Sequence, residues 1–175
     1  MKGGILVQYI KRYPLRFIFL LLTIAVMVII FLFSCENSDD SSDTSGNFTR
    51  IVINLFVGDY DELSPERQQE IWSEADHIIR KTAHFTIYMS LGFCASCAVG
   101  KRRTVGKKTA AVIGFCFFYA CTDEIHQHFT PGRACRFTDV LIDTTGAFTG
   151  TIFSFIAMAA VGVLVTKLRQ RKLKS

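Results

Sequence analysis

Two stretches of this chain carry no charge for about the length of a bilayer crossing: Phe17 to Cys35 and Thr144 to Thr166. An apolar helix needs about 20 residues to cross a hydrocarbon core of about 30 Å. Inside such a core every backbone N–H and C=O must be satisfied within the protein, and a helix does this for a single continuous run. Two shorter runs, about Thr82 to Gly100 and Thr109 to Ala120, are apolar apart from polar groups near one end. The expected fold is therefore all-α: a polytopic membrane protein, a bundle of four transmembrane helices with an external amphipathic helix, in a single domain over 1–175. The expected spans are about 17–34, 81–99, 109–126 and 138–166, with an external loop over 35–80. Composition agrees, since half of the 175 residues are hydrophobic and 16 are phenylalanine.

The net charge of +5 is sorted by position. Most basic residues fall in three acid-free segments: a head with Lys2, Lys11, Arg12 and Arg16, a middle loop with Lys101, Arg102, Arg103, Lys107 and Lys108, and a tail from Lys167 to Lys174. Basic segments separated by apolar spans fit the positive-inside rule, which places both termini and the 101–108 loop in the cytoplasm. The partner this implies is a lipid bilayer, and nucleic acid is excluded as a partner by the same sorting.

Between the first two spans, residues 36–47 are rich in Ser and Asp and are expected to form a mobile external loop. Ile51 to Val57 is a short apolar patch suited to the membrane interface. Ser64-Pro65 predicts an N-cap followed by proline at the first helical position. Ile71, Ala75, Ile78 and Ile79 then recur at helical spacing, with Trp72 at headgroup level. No Gly or Pro interrupts Glu66 to Leu91, so this amphipathic helix can run on into the second span.

Depth follows from a rise of about 1.5 Å per residue. Glu124 lies about 24 Å above Lys108, His84 about 25 Å above Lys101, and Asp143 about 36 Å above Lys167. His84, Asp123, Glu124, His126, Gln127, Arg133, Asp139 and Asp143 are thus expected at one level near the outer boundary. Ionisable groups there are costly, so their clustering is a functional-site hypothesis by default. Lys81, His84 and Tyr88 share a helix face, as do Asp123 with Gln127 and Asp139 with Asp143. A carboxylate beside a histidine favours general acid–base work, which makes His84, Asp123, Glu124 and His126 the candidate catalytic residues. Lys81, Gln127, Arg133, Asp139 and Asp143 are the candidate substrate-binding residues, with the Arg133 fork suited to phosphate or carboxylate.

With RKTAHF at 80–85, DEIHQHFTPGR at 123–133 and DVLIDTTGAFTG at 139–150, the chain resembles the VanZ-like family. The resemblance extends in weaker form over nearly the whole chain. It implies a bacterial integral membrane protein, because the family is named for one linked to teicoplanin resistance. It marks Lys81, His84, Asp123, Glu124, Gln127, Arg133 and Asp139 as motif positions. At Asp143 the family often has asparagine.

Several readings stay open. The cluster can serve a site that binds or processes an anionic lipid-linked envelope component, or a glycopeptide itself. It can be a polar network that pins helix ends in a non-catalytic membrane scaffold. A small transporter or flippase fits less well, because the charges sit at one boundary and not at the midplane. Whether the protein is an enzyme stays open, as does any cofactor. The identity of a metal is unknown: Asp123, His126 and His84 offer mixed N/O ligands, and two carboxylates with water suit a hard cation such as Mg²⁺. Cys94-x-x-Cys97 lies mid-span, where a thiolate is disfavoured, so small-residue packing accounts for it better than redox chemistry. Leu32-Phe33-Ser34-Cys35 resembles a lipoprotein cleavage site except at Phe33. Gly146 and Gly150 form a GxxxG that permits close helix packing within the bundle.

Overall fold

The computed structural model of the chain describes residues 10–35, 38–100, 106–131 and 135–174, with backbone alone for 38–44 and 172–174. Lys2, residues 101–103, Gly132 and Arg133 lie outside the described residues. The described chain is helical, without a strand: α1 (Pro14–Ser34), α2 (Ser38–Phe56), a 3₁₀ turn (Tyr60–Glu62), α3 (Pro65–Val99), α4 (Lys107–His128) and α5 (Phe137–Lys174).

Helix α1 opens on Pro14, whose missing N–H would be an orphan there in any case. It buries only the stripe Thr23, Ile30 and Ser34 and leaves Leu20, Leu21, Ile24, Val28 and Leu32 exposed. An apolar exterior of this kind suits lipid. Helix α3 begins as expected at the Ser64 cap, whose Oγ accepts the Arg67 N–H at 3.4 Å. It then runs unbroken to Val99. Three helices, α1, α3 and Phe137–Arg171 of α5, are long and apolar enough to cross a membrane. Helix α4, expected as a span, falls short of that measure. Asp123, Glu124, His126 and Gln127 near its C-terminus lower the hydropathy of an otherwise apolar run.

Of the segment expected as a mobile loop over 36–47, the described residues 38–47 are helical, and the helix runs Ser38–Phe56. The reason is a polar clasp that a hydrophobic pattern does not reveal. Asp76 of α3, 4% exposed, accepts from Ser45 at 2.5 Å and Thr49 at 3.3 Å, and Arg80 Nε reaches it at 3.1 Å. Ile53, 2% exposed, continues the buried face begun by Ser45 and Thr49.

Helices α3 and α5 form the most extensive pairing, and they run parallel. Gly146 and Gly150 set the spacing. A Cβ at Gly146 would stand 2.3 Å from the Phe85 carbonyl oxygen, and one at Gly150 1.8 Å from that of Met89. The reciprocal contact puts Gly92 of α3 against Ala147. Further along, the Ser96 and Ser154 hydroxyls bond each other. Helix α4 closes the bundle with Val112, Cys116 and Ala120, packed on Tyr88, Leu91 and Ala95 of α3, Val140 and Ala147 of α5, and Ile30 of α1. At one end of the bundle the Arg16 guanidinium lies over Gly100, which has φ +84°. At the other end Thr130 donates to the Ser34 carbonyl at 3.3 Å.

Candidate functional site

The parallel register of α3 and α5 brings charged side chains together one turn at a time. Lys81 forms an ion pair with Asp139. One turn deeper, His84 Nδ1 stands 3.7 Å from Asp143 Oδ1, within ion-pair range but beyond a hydrogen bond. Another turn down α3 is Tyr88, fully buried. Helix α4 brings Asp123, Glu124 and Gln127, which are 5%, 1% and 5% exposed. The C-terminus of α1 adds Ser34.

Within this cluster Gln127 Nε2 donates to Asp123 Oδ2 at 3.3 Å. The Ser34 and Tyr88 hydroxyls face Asp123 without closing a hydrogen bond to it. Glu124 Oε2 accepts the backbone N–H of Arg136 at 2.9 Å, which ties α4 to the start of α5. Its Oε1 has no hydrogen-bond partner, nor does either oxygen of Asp143. Among the described residues, every buried side-chain oxygen or nitrogen lacking a hydrogen bond belongs to this cluster: those of Ser34, Tyr88, Glu124 and Asp143. Such a group costs about 1–3 kcal/mol when neutral and more when charged. The Asp123 and Asp143 carboxyls thus converge on one imidazole, that of His84, with Glu124 buried next to Asp123 in the chain, while Lys81 and Arg80 are paired with Asp139 and Asp76.

The cluster adjoins a groove of about 810 Å³ between α1, α2 and α3. Ile30, Phe33, Phe48, Val52, Ile79 and Ile87 give it apolar walls, and Arg80 and His84 also line it. His84 thus lines the groove and also meets Asp143 behind it.

Most of the residues expected from the sequence converge here: Lys81, His84, Asp123, Glu124, Gln127, Asp139 and Asp143. His126 turns elsewhere. Its ring packs on Phe31 with centroids 5.1 Å apart, and its Nε2 lies 3.4 Å from Cys35 Sγ. Asp123 and His126 are three residues apart on one helix, yet Asp123 faces α3 and α5 while His126 faces α1. Arg133 lies outside the described residues. Two participants were not singled out as site residues. Tyr88 carried a signal in its spacing from His84. Ser34 carried none beyond its place at the end of a span. Cys35 and Cys135 are exposed and free, and Cys97 and Cys116 are buried.

The family model described as VanZ/LLP1 matches residues 19–158, and the chain belongs to that family. No curated protein and no solved structure matches it.

Proposed function

We propose that this member of the VanZ/LLP1 family is a multi-pass protein of the bacterial cell membrane that binds or modifies an anionic lipid-linked envelope component. By doing so it lowers susceptibility to teicoplanin-like glycopeptides. In this reading α1, α3, α4 and α5 all cross the bilayer, and the basic segments hold both termini in the cytoplasm. Residues 35–80, with α2 and the amphipathic start of α3, then lie on the outer face.

The observation that carries the reading is the joint at His84. An apolar groove and a buried polar cluster share one titratable side chain. An amphiphile with a long apolar chain and an ionic head needs that combination, whereas a purely structural network has no use for the groove. The chain would lie along Ile30, Phe48 and Ile87. The head would meet Arg80, Lys81 and Arg133, with His84, Asp123 and Glu124 available for proton transfer. A scaffold reading draws support from two ties, Lys81 to Asp139 and Arg136 to Glu124, which fasten helix ends whether or not anything binds.

Teicoplanin susceptibility in a sensitive Gram-positive host separates the two. The host would carry the wild type, Glu124→Gln, His84→Ala or Arg133→Lys, with membrane abundance measured in parallel. Protection by the wild type that is lost in the variants at equal abundance supports a binding or chemical site. Protection that persists in all three makes the cluster architectural, and none from the wild type removes the phenotype from this chain.

A further inference from the structure

His84, Asp123 and Asp143 come from α3, α4 and α5, and each offers a donor atom to one shared space. The three donors lie within 4.8 Å of one another. Acidic clusters are common, and proximity alone does not make a ligand site. The surrounding atoms point further. Both Asp143 oxygens are fully buried without a hydrogen bond, and so are the Tyr88 and Ser34 hydroxyls that face Asp123. Buried polar groups are nearly always hydrogen-bonded, so several unpartnered ones around a common space are groups a bound species would satisfy. Two carboxylates around one imidazole favour a positive species there, and Lys81 and Arg80 are engaged with Asp139 and Asp76.

We propose that His84, Asp123 and Asp143 form a divalent cation site, with Zn²⁺ or Mn²⁺ as the ion. One imidazole with two carboxylates suits these ions better than Mg²⁺, which prefers oxygen ligands alone. Metal–ligand bonds of about 2.0–2.2 Å put opposed donors at most about 4.4 Å apart, so small side-chain rotations close the set. The neighbours act as orienting groups. Gln127 holds Asp123 Oδ2 at 3.3 Å, which leaves the other oxygen to the ion. The Tyr88 and Ser34 hydroxyls lie where they can bond that carboxylate or an ion-bound water. His126, which the sequence places beside Asp123, has no part in the set. The site stands on these side chains whatever the groove holds.

The test uses the full chain purified in detergent and stripped with a chelator. Mn²⁺ or Zn²⁺ is then added back, and stoichiometry is read by calorimetry and melting by fluorescence. The expected result is one ion per chain and a rise in Tm. Asp143→Asn and His84→Gln should each weaken binding at least tenfold, while His128→Ala, at the exposed end of α4, should not. With Mn²⁺, pulsed electron paramagnetic resonance of the wild type should show coupling to one imidazole nitrogen, a readout that needs no variant to fold. Absence of stoichiometric binding of either ion would overturn the proposal. So would absence of the nitrogen coupling, or binding that both variants retain within twofold.

Discussion

Asp143 has no exposed surface, and the imidazole it faces stands at 3.7 Å. Its neighbour one turn earlier, Asp139, is better served, because Lys81 pairs with it directly. That difference gives the two acids different tests. Lys81→Met strands the Asp139 carboxylate and should cost about 1–3 kcal/mol, read as a lower Tm of the purified protein. Adding Asp139→Leu should restore much of the loss, because replacing both partners removes the stranded charge. Simple additivity of the two changes would mean that the pair contributes nothing. These residues were legible beforehand because helical spacing places 81 with 84 and 139 with 143. Which acid would be paired and which left facing its neighbours depends on the α3–α5 register, and no single helix contains that information. The same applies to His126: a three-residue spacing from Asp123 does not say that its ring and the Asp123 carboxyl look toward different helices.

At the scale of the element, the contact between α3 and α5 is built from backbone. Gly146 and Gly150 let the Phe85 and Met89 carbonyls approach, and even an alanine Cβ at Gly150 would collide with a main-chain oxygen. Overpacking of this kind costs about 1–3 kcal/mol. Gly150→Ala should therefore reduce membrane abundance and Tm. Gly114 of α4 is the internal control, since a Cβ there meets nothing within 4 Å. Gly114→Ala should be neutral or raise stability by up to about 1 kcal/mol. Equal losses in both would show that glycine content matters and the contact does not. The GxxxG signal announced this packing from sequence alone. Helix α2 was hidden, because its polar hold on α3 is two contacts to Asp76, from Ser45 and Thr49, in a segment whose composition resembles a solvated loop. Asp76→Ala should release α2, and limited proteolysis should then cut within 45–56 much faster than in the wild type. Unchanged cleavage would show that Ile53 and its neighbours hold the helix unaided.

Across the whole molecule, polarity is divided between the ends. Arg16 meets Gly100 at one end, and the acid cluster with Ser34 and Thr130 occupies the other. The all-helical architecture followed from uncharged length and periodicity. The status of α4 did not, because the residues that make the site also lower the helix's apolar character. Cys35 and Cys135 are exposed at the acidic end, so they report its side of the membrane. A membrane-impermeant maleimide should label intact cells carrying the wild type, and Cys35→Ser with Cys135→Ser should abolish the signal. Labelling only after lysis would invert the proposed topology. A cation on the acid cluster would also explain how an anionic head can approach carboxylates without repulsion.

The central claim is that groove and cluster form one site. Native mass spectrometry of the detergent-purified chain with a polyprenyl diphosphate, an ionic head on an apolar chain, tests it directly. The wild type should retain one lipid. Ala83→Trp, which fills the groove, and Asp143→Asn, which alters the cluster, should each reduce the bound fraction at least tenfold while the protein stays folded. Binding that survives both substitutions, or no binding to the wild type at all, would contradict the account.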